Sequence, residues 1–143
     1  GSIDKRWFIP TGSLLFSWSG QRGKSFGPFI WRGETGVLNQ HIFKVTPKDF
    51  VCRDFLYLIL KLIQIDVERS AHGFKDSFMH VKKSEIVNKI IALPSLEKQK
   101  SLVLRFKSVE GLINLLEQKI SSLKFLRESM SNDLLSGRKR VNV

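Results

Sequence analysis

The sequence contains one cysteine, Cys52, and only three histidines. A lone cysteine cannot form an intramolecular disulfide, and it cannot supply a cysteine-rich metal site. Its apolar neighbours predict that Cys52 is a buried small hydrophobe, which suits a reducing cytoplasm. Nothing in the sequence brings a histidine together with a serine or cysteine and an orienting carboxylate, so we predict no catalytic residue, no metal and no cofactor. An enzyme is the alternative that a clustered triad or metal site would support.

Long apolar segments and phosphate-binding motifs are also missing. No apolar run reaches the roughly 18 residues that span a bilayer, and no signal peptide is visible. The GQRG segment at 20–23 is a poor match to a nucleotide-binding fingerprint. A membrane-surface module would need a basic amphipathic helix, whereas the long helix predicted below carries mixed charges. The sequence therefore predicts a binding protein with no membrane partner.

Acidic residues are scarce relative to basic ones. Lys and Arg number 24 against 13 Asp and Glu, which gives a net charge of +11. The apolar fraction of 42% is ordinary for a globular protein, so this charge does not indicate a disordered chain. By charge alone, such a surplus on a small protein predicts a polyanionic partner, for which DNA, RNA and an anionic membrane surface are the candidates. The mixed charges of the long helix argue against the membrane surface.

Pro94 divides the sequence into two parts with different patterns. Before it come short apolar runs, turn residues and most of the glycines, and after it comes one long helical pattern. Strands are predicted at 13–17, 29–31, 37–45 and 90–93, helices at 54–66 and 81–88, and loops at 18–28 and 70–77. One central helix among strands predicts an α+β fold. We expect a small mixed globular domain at 1–94, a long C-terminal coiled-coil helix at 95–136 and a basic tail at 137–143.

The long helix is predicted over about 96–135, with Ser95 as its N-cap and Gly137 at its end. Apolar residues there alternate in steps of three and four, as in a coiled coil, with one basic interruption. This seam consists of Phe106, Val109, Ile113, Leu116, Ile120, Leu123, Arg127, Met130 and Leu134. A helix of roughly 60 Å exceeds what a small domain covers, so we predict a partner helix. The alternative is a terminal helix that lies on its own domain.

Polar side chains suited to nucleic acid occur in several segments before Pro94. Arginine pairs with guanine edges, glutamine and asparagine pair with adenine, and lysine and serine contact phosphates. The predicted DNA-contacting residues are Ser19, Gln21, Arg22 and Lys24 in the first loop, Asn39, Gln40 and His41 in the third strand, His72 and Lys75 in the second loop, and Lys82 and Lys83 after it.

Each of these groups also has a purely structural interpretation. The loop at 20–24 could be a solvated turn, and the polar triplet at 39–41 could satisfy buried backbone groups, because neighbours in a strand alternate faces. Lys82 and Lys83 could belong to a solvated surface. Trp18 and Trp31 are predicted to be core residues rather than stacking platforms.

Six segments, in the same order along the chain, resemble motifs of the specificity subunits of type I restriction–modification enzymes. GSLLFSWSG at 12–20 resembles their Gly-Asp-Ile-Leu-Phe-Ser-x-Ser-Gly strand, and LPSLEKQ at 93–99 resembles their Pro-Leu-Pro-Pro-Leu-x-Glu-Gln turn. The other four are LNQHIF at 38–43, DFLYL at 54–58, the region from His72-Gly73 to His80, and DLLSGR at 133–138. The sequence departs from the family pattern at Ser13, Ser95 and Lys98.

This resemblance implies a target-recognition domain followed by a conserved-region helix, in a prokaryotic cytoplasmic protein. In such enzymes each recognition domain reads one half of a split target in double-stranded DNA, and paired helices set the spacing between the halves. The methyltransferase and the restriction/translocase subunits supply the chemistry. We expect this chain to be the later part of one recognition domain, a natural half-subunit or a fragment, whose helix pairs with its own copy or with another half. The alternative is an assembly module that does not bind DNA by itself.

Overall fold

A computed structural model describes residues 4–70 and 78–138, and its architecture is α+β with a long C-terminal helix, as predicted. The chain divides into two compact units, Gly1–Val103 and Leu104–Val143. The first unit holds the strands that the structure describes, two helices and the start of a third helix. The second unit holds the rest of that helix. The predicted boundaries of the globular domain, the long helix and the basic tail, at residues 94 and 136, remain a prediction. Most of the predicted tail at 137–143 lies outside the described residues.

The elements of the described ranges are short except for two helices. A 3-10 helix occupies Lys5–Trp7, and the α-helices are α1 (Arg53–Ser70), α2 (Lys83–Val87) and α3 (Leu96–Leu135). The strands are β1 (Phe8–Ile9), β2 (Leu14–Ser17), β3 (Ser19–Gln21), β4 (Gly27–Ile30), β5 (Gly36–Val37), β6 (Ile42–Val45) and β7 (Phe78–His80). They form a three-stranded sheet in the order β4-β2-β6 and two-stranded sheets of β1 with β5 and of β3 with β7, all antiparallel.

β2 is the centre of the first unit, because all four of its residues are buried. β4 and β6 flank it, and Phe16 lies opposite Phe43 of β6. A strand that is covered on both faces has a continuous apolar sequence, which is why β2 was predictable. Leu60 and Val67 of α1 pack with Phe16 in one apolar cluster. Full burial of each such side chain stabilises the fold by about 1.5–3 kcal/mol.

A buried glutamine on α1 fixes this helix against β4. The Nε2 of Gln64 donates hydrogen bonds to the carbonyl of Phe26 (3.1 Å) and to the carboxylate of Glu68 (2.8 Å). Gly27 has a φ of 107°, and a Cβ built there would lie 2.2 Å from Gln64 Oε1. Glycine is therefore strongly favoured at position 27, both by backbone conformation and by the close approach of the Gln64 side chain.

The predicted strand at 37–45 is wrong in its middle. β5 ends at Val37 and β6 begins at Ile42, and a turn lies between them. In this turn Asn39 Oδ1 accepts a hydrogen bond from the backbone N–H of His41 at 3.0 Å. A local bond of this kind gives the backbone an alternative to a strand ladder, and here it outweighs the β propensity of the flanking residues.

Two further predictions before Pro94 need correction. The segment at 18–28 is not one loop, because β3 lies within it and pairs with β7, some sixty positions away, with Gly20 opposite Met79. The segment at 90–93 is not a strand, and Ile90 is fully exposed. Its apolar sequence resembles a buried strand, but no neighbouring strand in the described ranges pairs with it. Both helices predicted in this part are present, and α1 is four residues longer at its end than predicted.

The start of α3 is anchored by Gln99, which is fully buried. Its Nε2 donates to the carbonyls of Phe50 (3.1 Å) and Pro94 (2.8 Å), and its Oε1 accepts from the backbone N–H of Cys52 (2.8 Å). Cys52 itself is half-buried rather than fully buried. The helix begins and ends where predicted: Ser95 Oγ accepts from the N–H of Lys98 at 3.4 Å, and Gly137 follows its end with a φ of 69°.

Candidate nucleic-acid interface

Trp18 lies between β2 and β3 and joins two distant segments of the chain. Its backbone N–H donates to the carbonyl of His41 (3.1 Å), and its carbonyl accepts from the N–H of Val81 (3.0 Å). The indole is half-buried and packs against the apolar cluster, as predicted for a core residue. Trp18 thus brings the turn at 39–41 and the end of β7 to one place, although these segments are forty residues apart in sequence.

Three rings surround the indole of Trp18. The ring centroid of His80 lies 4.7 Å away and that of His41 lies 5.1 Å away, both in edge-on geometry, and Phe43 stacks at 6.0 Å. Aromatic pairs in such arrangements contribute about 0.5–1.5 kcal/mol each beyond their burial. Two imidazoles are therefore held in fixed positions by one tryptophan.

Polar groups at this cluster are only partly satisfied by one another. His80 Nδ1 lies 3.3 Å from Ser19 Oγ, and His41 Nε2 lies 3.2 Å from Gln40 Nε2. Within the described ranges, the buried atoms Trp18 Nε1 and His41 Nδ1 have no hydrogen-bond partner. Buried polar atoms without partners are uncommon in folded proteins. We call the surface formed around the indole the Trp18 face, and its members are Ser19, Asn39, Gln40, His41 and His80.

Cationic side chains border the Trp18 face. Lys82 and Lys83, at the start of α2, directly follow Val81, and both are exposed. The ammonium of Lys83 lies 5.7 Å from the ring centroid of Phe43, in cation–π geometry. Asn39 and Gln40 are exposed, whereas Ser19 and His41 are half-buried. Six predicted contact residues thus lie in or next to the segments that meet at Trp18: Ser19, Asn39, Gln40, His41, Lys82 and Lys83.

Arg22 has a structural partner that the sequence did not reveal. Its Nη2 donates to the backbone carbonyl of Glu68 (3.0 Å), in the last turn of α1, and lies 3.6 Å from Met79 Sδ. An arginine at the C-terminal end of a helix satisfies a free carbonyl and interacts favourably with the helix dipole. Its guanidinium therefore ties the turn after β3 to α1.

Gln21, the last residue of β3, and Lys24, in the turn that follows it, are exposed. The backbone carbonyl of Gln21 accepts hydrogen bonds from the N–H groups of Lys24, Ser25 and Phe26, so the turn is tightly closed. Lys24 and Lys61 line a depression of about 500 Å³ together with serine hydroxyls and Gln64. His72 and Lys75, the other two predicted contacts, lie outside the described residues.

Two residues beside the predicted contacts were not predicted. His80 was not selected, because only the pairing of β7 with β3 places it beside Ser19. Lys61 was not selected either, because only the packing of α1 against β4 places it in the depression with Lys24. The histidine at 80 did lie within one of the family-like segments, and that was the one signal available.

The described ranges contain no group of three or more histidine, cysteine or carboxylate side chains that could hold a metal ion. In the same ranges, no helix has both the length and the apolar character needed to cross a bilayer. The described residues thus form a small α+β unit, with exposed lysines beside the Trp18 face, and a long C-terminal helix. The family model described as "Type I restriction modification DNA specificity domain" matches residues 4–124. The chain belongs to this family, as its motifs predicted, and no curated protein matches it. The family is one of DNA recognition in type I restriction–modification.

Proposed function

We propose that this chain reads one half of a split DNA target through the Trp18 face and that α3 sets the position of that half-site relative to another. The observation that carries the proposal is the convergence of polar side chains from three distant segments on Trp18, next to exposed lysines. Asparagine and glutamine present a donor and an acceptor side by side, the pattern that pairs with an adenine edge. Lysines supply the phosphate contacts that position such readers on the duplex.

The lysine contribution can be tested with a matched pair of double variants. We expect Lys82→Ala with Lys83→Ala to weaken binding to duplex DNA and to reduce the slope of log K against log salt by about two, one for each phosphate contact. Lys98→Ala with Lys100→Ala removes the same charge from exposed positions at the start of α3, and we expect a smaller change of slope. Equal effects of the two pairs would show that only net charge matters, and would remove these lysines from the interface.

Base reading is assigned to Asn39 and Gln40. We expect Gln40→Ala to reduce the difference in binding free energy between the target sequence of this chain and random duplex DNA by about 1–3 kcal/mol. Binding to random duplex DNA should stay nearly the same. Asn39 also closes its own turn, so Asn39→Asp, which keeps the acceptor for the His41 N–H, is the better variant there. Unchanged target preference in both variants would reject the assignment.

The seam of α3 supports the pairing part of the proposal. Its apolar members are each about half exposed, between 44% for Phe106 and 58% for Leu116. A helix of 40 residues with so much exposed apolar surface in a three–four repeat is suited to a second helix. In an antiparallel pair centred near 121–122, Ile120 faces Leu123, Leu116 faces Arg127, and Ile113 faces Met130 of the second helix.

Helix pairing is tested by molecular mass in solution. We expect the wild-type chain to sediment as a dimer, and the triple variant Ile113→Ala, Leu116→Ala and Ile120→Ala to sediment as a monomer. The control is Lys119→Ala with Gln118→Ala, which changes two exposed polar residues of the same helix and should leave the dimer intact. A triple variant that is still a dimer would reject the seam as the interface.

Docking of the methyltransferase subunit, and through it of the restriction/translocase subunit, belongs to the same proposal. The second candidate function is an assembly module without DNA binding of its own, and the large exposed apolar surface of α3 favours it. Gel-shift with random duplex, with and without the methyltransferase subunit, separates the two. A shift by the chain alone supports direct recognition, and a shift that requires the methyltransferase subunit supports the assembly module.

A further inference from the structure

His80 has the geometry of a side chain held ready for a ligand. It is exposed, its ring packs edge-on against Trp18, and its Nδ1 lies within hydrogen-bond distance of Ser19 Oγ. The ring is therefore fixed by one contact to a rigid indole and one to a strand neighbour. The other ring nitrogen, Nε2, has no hydrogen-bond partner within the described ranges. An exposed polar atom on a fixed ring is suited to direct contact with a binding partner.

Two charged residues near His80 already have partners. Glu85 and Lys89 line a depression of about 260 Å³ beside it. Glu85 Oε2 accepts from the backbone N–H of Lys82 at 2.8 Å, and Lys89 forms an ion pair with Asp66 of α1. On the side of the indole, the second imidazole, His41, packs against Trp18, and the ammonium of Lys83 lies over Phe43. No carboxylate among these groups pairs with His80. A positive charge on the His80 ring is therefore available to interact with a bound anion.

We propose that His80 contacts DNA through Nε2, and that protonation of His80, together with that of His41 on the same indole, makes DNA binding tighter at lower pH. The inference rests on the proposed function, because it adds a contact residue and a form of regulation to the Trp18 face. Imidazole is the side chain that ordinarily changes charge between about pH 5 and 8. A cation formed at the Trp18 face adds an attraction to phosphate oxygens that the neutral ring lacks.

The direction of the effect follows from linkage. Because a polyanion favours the charged ring, binding takes up protons, and affinity rises as pH falls through the titration range of imidazole. If the two rings together gain roughly one phosphate contact, Kd at fixed low salt should be about three- to ten-fold smaller at pH 6 than at pH 8. The same coupling should steepen the salt dependence at pH 6.

The test is a fluorescence anisotropy titration of labelled random duplex DNA with the full chain at pH 6 and pH 8, at constant ionic strength. The variants are His80→Gln and His41→Gln, each of which removes one titratable ring and keeps a neutral polar side chain. The control is Lys100→Gln, which removes an exposed charge from α3. We expect His80→Gln to abolish most of the pH dependence, His41→Gln to reduce it, and Lys100→Gln to keep it. Ser19→Ala should weaken binding at pH 6 more than at pH 8, because it removes the hydroxyl that holds the His80 ring in place.

The outcomes separate this inference from the proposed function. If the chain binds DNA equally well at both pH values, or if His80→Gln keeps the full pH dependence, the inference is wrong and the proposed function stands. If Lys100→Gln removes the dependence as fully as His80→Gln does, the effect does not belong to this ring and the inference is wrong. If the chain binds no duplex at either pH, both fail together. Circular dichroism of each variant at both pH values ensures that only folded protein is compared.

Discussion

The clearest quantitative prediction concerns Gln99, the residue that anchors the start of α3. Gln99→Ala removes three hydrogen bonds from a site with no exposed surface, and leaves the N–H of Cys52 and the carbonyls of Phe50 and Pro94 without their partner. At about 1 kcal/mol net for each bond, the loss is about 3 kcal/mol of unfolding free energy. That is a large part of the total for a small domain. Lys100→Ala, an exposed change one residue away, should be nearly neutral.

The assay is urea unfolding followed by far-UV circular dichroism, with every variant at one protein concentration because a dimer adds concentration dependence. With an m value near 2 kcal/mol/M, a loss of this size moves the midpoint by about 1.5 M. Gln99→Glu separates bonding from packing, because it nearly preserves volume but cannot donate to the two carbonyls as a carboxylate. If Gln99→Glu is as stable as wild type, or if Gln99→Ala loses less than about 1 kcal/mol, the hydrogen-bond argument is refuted.

The other predictions concern the first unit and the seam. Gly27→Ala should lower the unfolding free energy by about 1 kcal/mol more than Gly23→Ala in the same assay. Both glycines have positive φ, but only a Cβ at position 27 would lie against Gln64. Equal losses of unfolding free energy in the two variants would contradict the clash. Arg22→Ala should cost about 1 kcal/mol of stability by freeing the Glu68 carbonyl, whereas Lys24→Ala should lower the salt slope of DNA binding by about one with stability unchanged. Arg127→Leu should strengthen the dimer in sedimentation, and weaker association would refute its place in the seam.

α3 was predictable because its signal is local. A three–four repeat of apolar residues without proline specifies a helix whatever surrounds it, and the capping serine and the terminal glycine mark its ends. Ser95 and Gly137 lie where the structure begins and ends Leu96–Leu135. β2 and α1 were predictable for the same reason. The continuous apolar sequence of β2 and the helical spacing of apolar residues in α1 both follow from burial of these elements.

The Trp18 face was only partly predictable, because it depends on contacts between distant segments. Its residue types suggested nucleic acid, but the pairing of Ser19 with His80 across β3 and β7 has no local signal. The segment at 39–41 was predicted as a strand because its flanks are apolar and β-branched. In the structure Asn39 closes a turn by accepting two hydrogen bonds, at its side-chain oxygen from the N–H of His41 and at its carbonyl from the N–H of Ile42. Propensity measures an average preference, and local hydrogen bonds of this kind can reverse it.

The turn at 39–41 presents more of its polar groups than a strand at the same place would. A residue inside a strand ladder has its backbone groups paired and only one side-chain face exposed, whereas a residue in a turn can present side chain and backbone together. Asn39 and Gln40 are exposed because they lie in the connection between β5 and β6, which belong to different sheets. His41 stays half-buried where its carbonyl accepts from the N–H of Trp18. The turn is thus held rigidly at one end and open at the other. A segment that contacts base edges needs both properties. A mobile turn would lose conformational entropy when it binds, and a regular strand would have half of its side chains on its other face.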